Sequence, residues 1–208
     1  MSKILYIQSS PRKERSKSIQ TADAFLKAYQ KLHPADSVET MNLFEADLPR
    51  FDGPAAEARY TILHGQNPAA QHRQIWAQIE KVISHFTQAD KYLLAVPMWN
   101  FSIPWRLKQY LDLLIQPTYT FRVGENGYEG LVKDKPIMVV YARGSAYPAD
   151  SPAAAIDFQK KYLEWALSFI GFQKIGSIVV EPTLGDAAAR ENALKKAMEE
   201  AQKAAETF

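Results

Sequence analysis

Five short apolar segments, separated by stretches of helix length, constrain the fold of this chain most strongly. The apolar segments lie at residues 4–7, 37–43, 91–96, 137–141 and 175–180. Between them, apolar residues recur at helical spacing, as Ala22, Phe25, Leu26 and Tyr29 do. This periodicity predicts helices over residues 17–33, 54–65, 75–86, 105–115, 156–170 and 187–205. Strands that alternate with helices in this way predict a parallel sheet, and so an α/β fold.

The order of these elements also predicts the arrangement of the strands. Five parallel strands suit the flavodoxin-like order 2-1-3-4-5, with helices on both faces of the sheet. In that order a ligand crevice lies between the first and third strands, at the carboxyl ends of the strands. Residues 1–208 contain no repeat, low-complexity segment or linker. We therefore expect a single domain.

Composition excludes several classes of function. The formal net charge is +2, which does not demand a nucleic-acid partner. The absence of cysteine excludes disulfides, thiol nucleophiles and cysteine-based metal sites. The four histidines are not spaced as metal ligands, so no metal site is expected. Neither a signal peptide nor a membrane span is recognisable, and we expect a cytoplasmic protein with no membrane partner.

The loop at residues 97–104 reads Pro-Met-Trp-Asn-Phe-Ser-Ile-Pro and follows the third predicted strand. An asparagine between flat aromatic side chains suits a planar ring whose edge carries hydrogen-bond donors and acceptors, such as a flavin. The candidate cofactor contacts in this loop are Pro97, Met98, Trp99, Asn100 and Phe101. A proline-bounded turn whose aromatic residues fill the core is the alternative interpretation.

The loop after the first strand is rich in serine and basic residues and leads into a helix. Backbone N–H groups and the helix dipole favour a phosphate at such a position. The candidate phosphate contacts are Ser10, Arg12, Ser16, Lys17 and Ser18. An ordinary serine cap beside solvated basic side chains is the alternative. The loop is neither GxGxxG nor GxxxxGK[ST], which argues against a dinucleotide fingerprint and an NTPase.

The loop after the fourth strand contributes a third set of candidates, Ala142, Arg143, Gly144 and Ser145. Small residues after a buried strand let backbone amides approach a ligand, although an ordinary connection is the simpler interpretation of this loop alone. Taken together, one phosphate loop and two ring loops at a single sheet edge predict a mononucleotide site.

At these residues the chain resembles the FMN-dependent NADH:quinone oxidoreductase and azoreductase family over nearly its full length. Residues 9–12 with Ser16 and Ser18 resemble the phosphate loop of that family, and residues 97–104 resemble its P-M-[YW]-N-F-x-I-P ring loop. Further similar segments are residues 107–112, 120–121, 127–131 and 162–172.

Two segments depart from the pattern of that family. Residues 142–145 stand where the family often has S-R-G-G, so we expect a hydrogen bond to the ring edge to be lost or relocated. Residues 116–119 stand where R-P-G is usual, and we expect the bulkier Tyr119 near the mouth of the pocket.

The resemblance implies a homodimer with one FMN per subunit at the interface. It also implies ping-pong hydride transfer from NADH or NADPH, through the flavin, to a quinone or an azo compound. Because a flavin carries this chemistry itself, we predict no catalytic side chain.

Two other functions remain open from the residues. An electron carrier would usually dock through an acidic surface, which a net charge of +2 disfavours. A non-catalytic FMN-binding redox sensor could use residues 116–135 as its interaction surface.

Overall fold

The computed structural model describes residues 1–125 and 127–208. Its strands are β1 (Lys3–Gln8), β2 (Ser37–Asn42), β3 (Lys91–Pro97), β4 (Phe121–Gly124), β5 (Gly127–Gly130), β6 (Ile137–Ala142) and β7 (Ile175–Val180). Its α-helices are α1 (Lys17–Leu32), α2 (Gly53–Leu63), α3 (Ala70–Thr87), α4 (Trp105–Leu114), α5 (Lys160–Ile170) and α6 (Ala187–Ala204). Short 3-10 helices cover Lys13–Arg15, Pro152–Ile156 and Ala205–Thr207.

The main sheet has five parallel strands in the order β2-β1-β3-β6-β7. The predicted parallel sheet and its flavodoxin-like order are therefore confirmed, since these are the first to fifth strands of the sheet in chain order. In the observed register Gln8 lies opposite Ala95, and Pro97 lies opposite Ala142. The loops that leave β1, β3 and β6 therefore start side by side.

Alternate residues of the central strands pack into two separate hydrophobic clusters. Leu94 and Val96 of β3 belong to a cluster that includes residues of α2, α3, α4 and α5. Leu93 and Ala95 belong to a second cluster with residues of α1 and α6. Since successive side chains of a strand point to opposite faces of the sheet, each central strand supports both clusters. This packing holds the carboxyl ends of β1, β3 and β6 in fixed relation to one another.

The helix predicted over residues 156–170 begins later than expected, at Lys160. The carboxylate of Asp157 accepts hydrogen bonds from the backbone N–H groups of Gln159 and Lys160, both at 3.1 Å. These bonds satisfy amides at the start of the helix and fix where it begins. Phe158 consequently lies outside the helix and is 56% exposed.

Residues 116–135 contain an antiparallel hairpin, β4–β5, that the breaker residues did not reveal. Asn126 in this segment lies outside the described residues. The hairpin packs against the end of α5, where a Cβ on Gly130 would lie 2.3 Å from the backbone nitrogen of Gly171. Within the hairpin region, Lys133 and Arg122 donate to the carboxylate of Glu129 and lower its pKa to about 2.

Among the described residues, no helix is both long enough and apolar enough to cross a bilayer.

Candidate functional site

Three loops meet at the carboxyl edge of the sheet, as their positions in the chain predict. The backbone N–H of Ser9 donates to the carbonyl of Ala95 at 3.0 Å, which joins the end of β1 to β3. The backbone N–H of Met98 donates to the carbonyl of Ala142 at 2.7 Å, which joins the end of β3 to β6. The structure thus brings the starts of the three predicted loops together at one edge of the sheet.

The first loop places three serine hydroxyls in nearly inaccessible positions. Ser10, Ser16 and Ser18 are 1%, 3% and 0% exposed. Ser16 occupies the N-cap position of α1, but its hydroxyl bonds that of Ser18 at 3.0 Å instead of capping the helix. The first-turn amides of α1 therefore do not use this hydroxyl as their acceptor. Buried hydroxyls beside such amides form a donor set suited to an anion.

The basic residues of the same loop lie at its rim. Arg12 is exposed, and the ammonium of Lys17 donates to the side chain of Gln20 at 3.1 Å. Lys13 instead pairs with Glu45 at 2.6 Å, and this contact raises the pKa of Lys13. The buried serines thus form the inner part of the candidate phosphate site, with Arg12 and Lys17 at its edge.

The second loop is closed by a two-residue turn at Asn100 and Phe101. Trp99 and Ser102 exchange backbone hydrogen bonds of 2.8 and 3.0 Å. Asn100 has φ 47° and Phe101 has φ 69°, so both residues are in the left-handed region, as in a type I′ turn. A phenylalanine in this conformation costs roughly 1–3 kcal/mol, a strain that often marks a functional site.

The two side chains of the turn are more exposed than the side chain of Trp99. Asn100 is exposed and Phe101 is 49% exposed, so both are accessible to a ligand. Trp99 is half-buried and lies 5.7 Å from the ring of Phe44, while Trp105 meets Phe44 edge-on at 6.0 Å. Pro97 and Met98 are half-buried at the base of the loop. The core-filling interpretation therefore describes Trp99 in part and does not describe Phe101.

In the third loop, Arg143 is held by partners within the protein. Its guanidinium is 3% exposed and donates to Gln159, Asp157 and Glu181. Its backbone N–H donates to the carbonyl of Val180 at 3.0 Å, and its carbonyl accepts from Thr183 at 2.8 Å. The assignment of Arg143 as a direct cofactor contact stays a prediction, and its side chain is held by internal partners.

The other residues of the third loop remain near the crevice. Ala142 is buried at the end of β6, and Ser145 is exposed. Gly144 packs closely against the loop after β7, since a Cβ there would lie 2.9 Å from a methyl carbon of Leu184. The Gly144 carbonyl also accepts from the backbone N–H of Leu184 at 3.1 Å. A larger residue at this position would therefore require the exposed Leu184 side chain to move.

Sequence reasoning missed the residues that hold the third loop, namely Asp157 and Gln159. Both are buried polar residues directly before α5. An aspartate before an apolar helical pattern is a recognisable cap signal, so Asp157 could have been found. Gln159 has no comparable signal, because its contact to the carbonyl of Val96 spans 63 residues of chain.

Tyr119 does not lie at the mouth of this crevice, contrary to expectation. Its ring is 6.2 Å from that of Trp76 on α3, and its hydroxyl donates to Glu80. These residues line a separate cavity of about 450 Å³. The turn that follows α4, in which Thr118 has φ 70°, directs Tyr119 back towards α3.

The sequence of this chain is similar to those of known FMN-dependent oxidoreductases. Residues 2–205 match a family model described as a flavodoxin-like fold. The chain is 54% identical over 184 residues to an FMN-dependent NADH:quinone oxidoreductase of Nitratidesulfovibrio vulgaris (strain Hildenborough), with 88% of each chain covered. It is 46% identical over 202 residues to a protein of the same name from Desulfotalea psychrophila, with 97% of this chain and 95% of the relative covered.

Solved structures with a similar fold include two azoreductases. An azoreductase from Bacillus anthracis str. Sterne superimposes with a TM-score of 0.91 at 28% identity, over the full length of both chains. An FMN-dependent NADH-azoreductase from Bacillus anthracis str. Ames Ancestor, solved in complex with FMN, superimposes with a TM-score of 0.85 at 27% identity. That match covers 99% of this chain and 100% of the other.

Proposed function

We propose that this chain binds FMN and uses NADH or NADPH to reduce quinones by two electrons. The chain belongs to the family of FMN-dependent NADH:quinone oxidoreductases, and this membership is the basis of the proposal. Aromatic azo compounds are a second class of acceptor, suggested by the azoreductases that share its fold. The observation that carries the proposal is the placement of buried serine hydroxyls and a left-handed aromatic turn at the ends of neighbouring strands, β1 and β3.

The residues of the crevice fit FMN at both of its ends. Ser10, Ser16 and Ser18, with the amides that begin α1, offer donors to a phosphate, and Arg12 and Lys17 add positive charge at the rim. At the other end, Phe101 offers an exposed aromatic face and Asn100 an exposed amide. A flat ring with a polar edge requires both features.

In this proposal the protein binds and orients, while the cofactor supplies the reaction. FMN, when bound, supplies two-electron hydride chemistry. The serine hydroxyls would anchor the phosphate, and Phe101 with Trp99, Pro97 and Met98 would form one wall of the ring site. Asn100 would hydrogen-bond the ring edge, while Ala142, Gly144 and Ser145 would border it through backbone and small side chains. NAD(P)H and the acceptor would then occupy the open side in turn, as in a ping-pong mechanism.

We further propose that the active form is a homodimer, because aromatic side chains form an exposed patch near the hairpin. Tyr128 and Trp165 are 71% and 67% exposed. Both rings contact Phe169, with centroid distances of 5.4 and 5.6 Å. Contiguous apolar surface of this kind marks an interaction site, and a second copy of the chain is the partner that the family suggests. Light scattering should give twice the mass of one chain, and Trp165→Glu should shift it to the monomer mass.

Two coarser expectations accompany the proposal. Residues 1–208 would act as one domain, with helices on both faces of the sheet and the carboxyl edge open to substrates. A cytoplasmic location would suit NAD(P)H as reductant, and fractionation of cells expressing the chain would test it.

Reconstitution with FMN tests the function directly. Protein that acquires a bound-flavin absorption spectrum and then oxidises NADH or NADPH with a quinone supports the proposal. Parallel double-reciprocal plots would support the ping-pong order, and azo dyes assayed in the same way would test the second class of acceptor. A chain that acquires no flavin spectrum refutes the proposal. FMN binding without oxidation of NADH or NADPH would instead favour an electron carrier or a redox sensor.

A further inference from the structure

A buried cation joins the third loop to the segment just before α5. The Arg143 guanidinium donates from Nε to Oε1 of Gln159 at 3.0 Å and from Nη2 to Oδ2 of Asp157 at 2.7 Å. Its Nη1 donates to Glu181 at 3.3 Å. The guanidinium also lies 5.8 Å from the ring centroid of Tyr141 and 5.5 Å from that of Tyr147. Its position is therefore set from several sides.

The same segment holds the ring loop in two places. The backbone N–H of Phe158 donates to the carbonyl of Phe101 at 3.0 Å, directly at the left-handed turn. The Nε2 of Gln159 donates to the carbonyl of Val96 at 3.0 Å, at the base of the loop. Asp157 fixes this segment in turn, through its bonds to two amides at the start of α5.

We infer that Arg143 and Gln159 are positioning residues that lock the turn at Asn100 and Phe101 against the third loop, and thereby set the environment of the flavin ring. This inference rests on the proposed function. The two loops that would border the ring leave different strands, and Gln159 connects them because it touches both Val96 and Arg143. Removing one member of a buried, hydrogen-bonded ion-pair network leaves its partners without compensation. A shift of about 1 Å at the turn would then change how the ring is held.

Substitutions at Gln159 test the connection. Gln159→Met is close in volume and removes both hydrogen bonds, while Gln159→Glu keeps an acceptor for Arg143 and loses the donor to Val96. Lys161→Ala is the matched control, because Lys161 is exposed in the first turn of α5 and, among the described residues, donates to the carbonyl of Ala154. Amide hydrogen exchange of residues 97–104 is measured in the FMN-free protein, and the FMN dissociation constant and midpoint potential are measured after reconstitution.

Both Gln159 variants should exchange faster at residues 97–104 and bind FMN about tenfold more weakly, because both lose the buried hydrogen bond to the carbonyl of Val96. The midpoint potential should shift in both, while Lys161→Ala should match the wild type in all three measurements. A lower melting temperature with unchanged exchange, affinity and potential would mean a merely structural role and would overturn the inference. If the wild type binds no FMN, the proposed function fails and the claim about the ring fails with it, whereas the exchange data still decide whether Gln159 orders the loop.

Discussion

The hydroxyl of Ser18 offers a quantitative test of which end of the cofactor the first loop holds. Ser18 is fully buried, and its hydroxyl is 3.0 Å from that of Ser16. Ser18→Ala should cost the FMN-free protein about 0.5–1.5 kcal/mol, the usual contribution of a neutral hydrogen bond. FMN would lose a hydrogen bond to a charged phosphate, which contributes roughly 1.5–3 kcal/mol. Since about 1.4 kcal/mol corresponds to a factor of ten, FMN should bind roughly 10- to 150-fold more weakly.

The assay compares FMN with riboflavin, which has the same ring and no phosphate. Each ligand is titrated into wild type and variant while the quenching of flavin fluorescence is followed. Affinity for riboflavin should stay within about twofold, because in the proposed site the lost hydroxyl would contact the phosphate and not the ring. Thr61→Ala removes a hydroxyl on α2 that donates to the carbonyl of Glu57, and it should change neither affinity. Equal losses for both ligands would refute the reasoning by showing that Ser18 shapes the ring site, and no loss for either would place the phosphate elsewhere.

Three other outcomes follow from the geometry. Gly130→Ala should lower the melting temperature by roughly 2–12 °C, since overpacking costs about 1–3 kcal/mol and each kcal/mol is worth about 2–4 °C in a chain of this size. Gly53→Ala is its control, because a Cβ there meets nothing within 4 Å among the described residues, and an unchanged Gly130→Ala protein would contradict the close approach. The Glu129 carboxyl should titrate near pH 2 when it is followed by NMR. Because its pKa is lowered, its stabilisation of the hairpin should be present above pH 4.5 and lost as the pH falls towards about 2. A titration midpoint near 4.5 would contradict the pairing of Glu129 with Arg122 and Lys133. Asn100→Gly should keep the turn and weaken the binding of FMN and of riboflavin equally. Asn100→Val should also destabilise the FMN-free protein, since a β-branched residue resists a φ of 47°. A Val variant as stable as the Gly variant in urea would argue against the left-handed turn.

The sheet was predictable because its evidence is local. Each strand of the sheet is a short run of apolar or β-favouring residues, and the alternation with helices fixes the parallel order. The hairpin β4–β5 was not predictable, since within these two strands Phe121 is buried but Val123 and Tyr128 are exposed, which leaves no alternating apolar pattern. The start of α5 was misplaced because Phe158 continues the apolar pattern, while the capping bonds of Asp157 decide where the helix begins.

The position of the candidate loops at the edge of the sheet was predictable, whereas the backbone geometry and contacts within them were less so. The placement of Ser10, Ser16 and Ser18 follows from a strand that leads into a helix, and that of Asn100 and Phe101 follows from the next strand of the sheet. The left-handed geometry of the turn has a sequence signal at Asn100, which tolerates it, and none at Phe101. The role of Arg143 was not predictable, because its acidic partners lie 14 and 38 residues away and their approach depends on the tertiary fold.

The neutralisation of Arg143 has a consequence for the kind of molecule that the crevice favours. Two carboxylates, those of Asp157 and Glu181, pair with this one cation inside the protein, so Arg143 presents no free positive charge to an acceptor at the ring end of the proposed site. At the opposite end of the proposed site, Arg12 is exposed and Lys17 is half-buried. An anionic dye would need a free guanidinium to attract it to the ring. A flat, uncharged quinone can approach the ring without such electrostatic steering. In the proposed site the basic side chains thus lie at the phosphate end while the guanidinium at the ring end is paired, and we expect neutral acceptors to be reduced in preference to sulfonated ones.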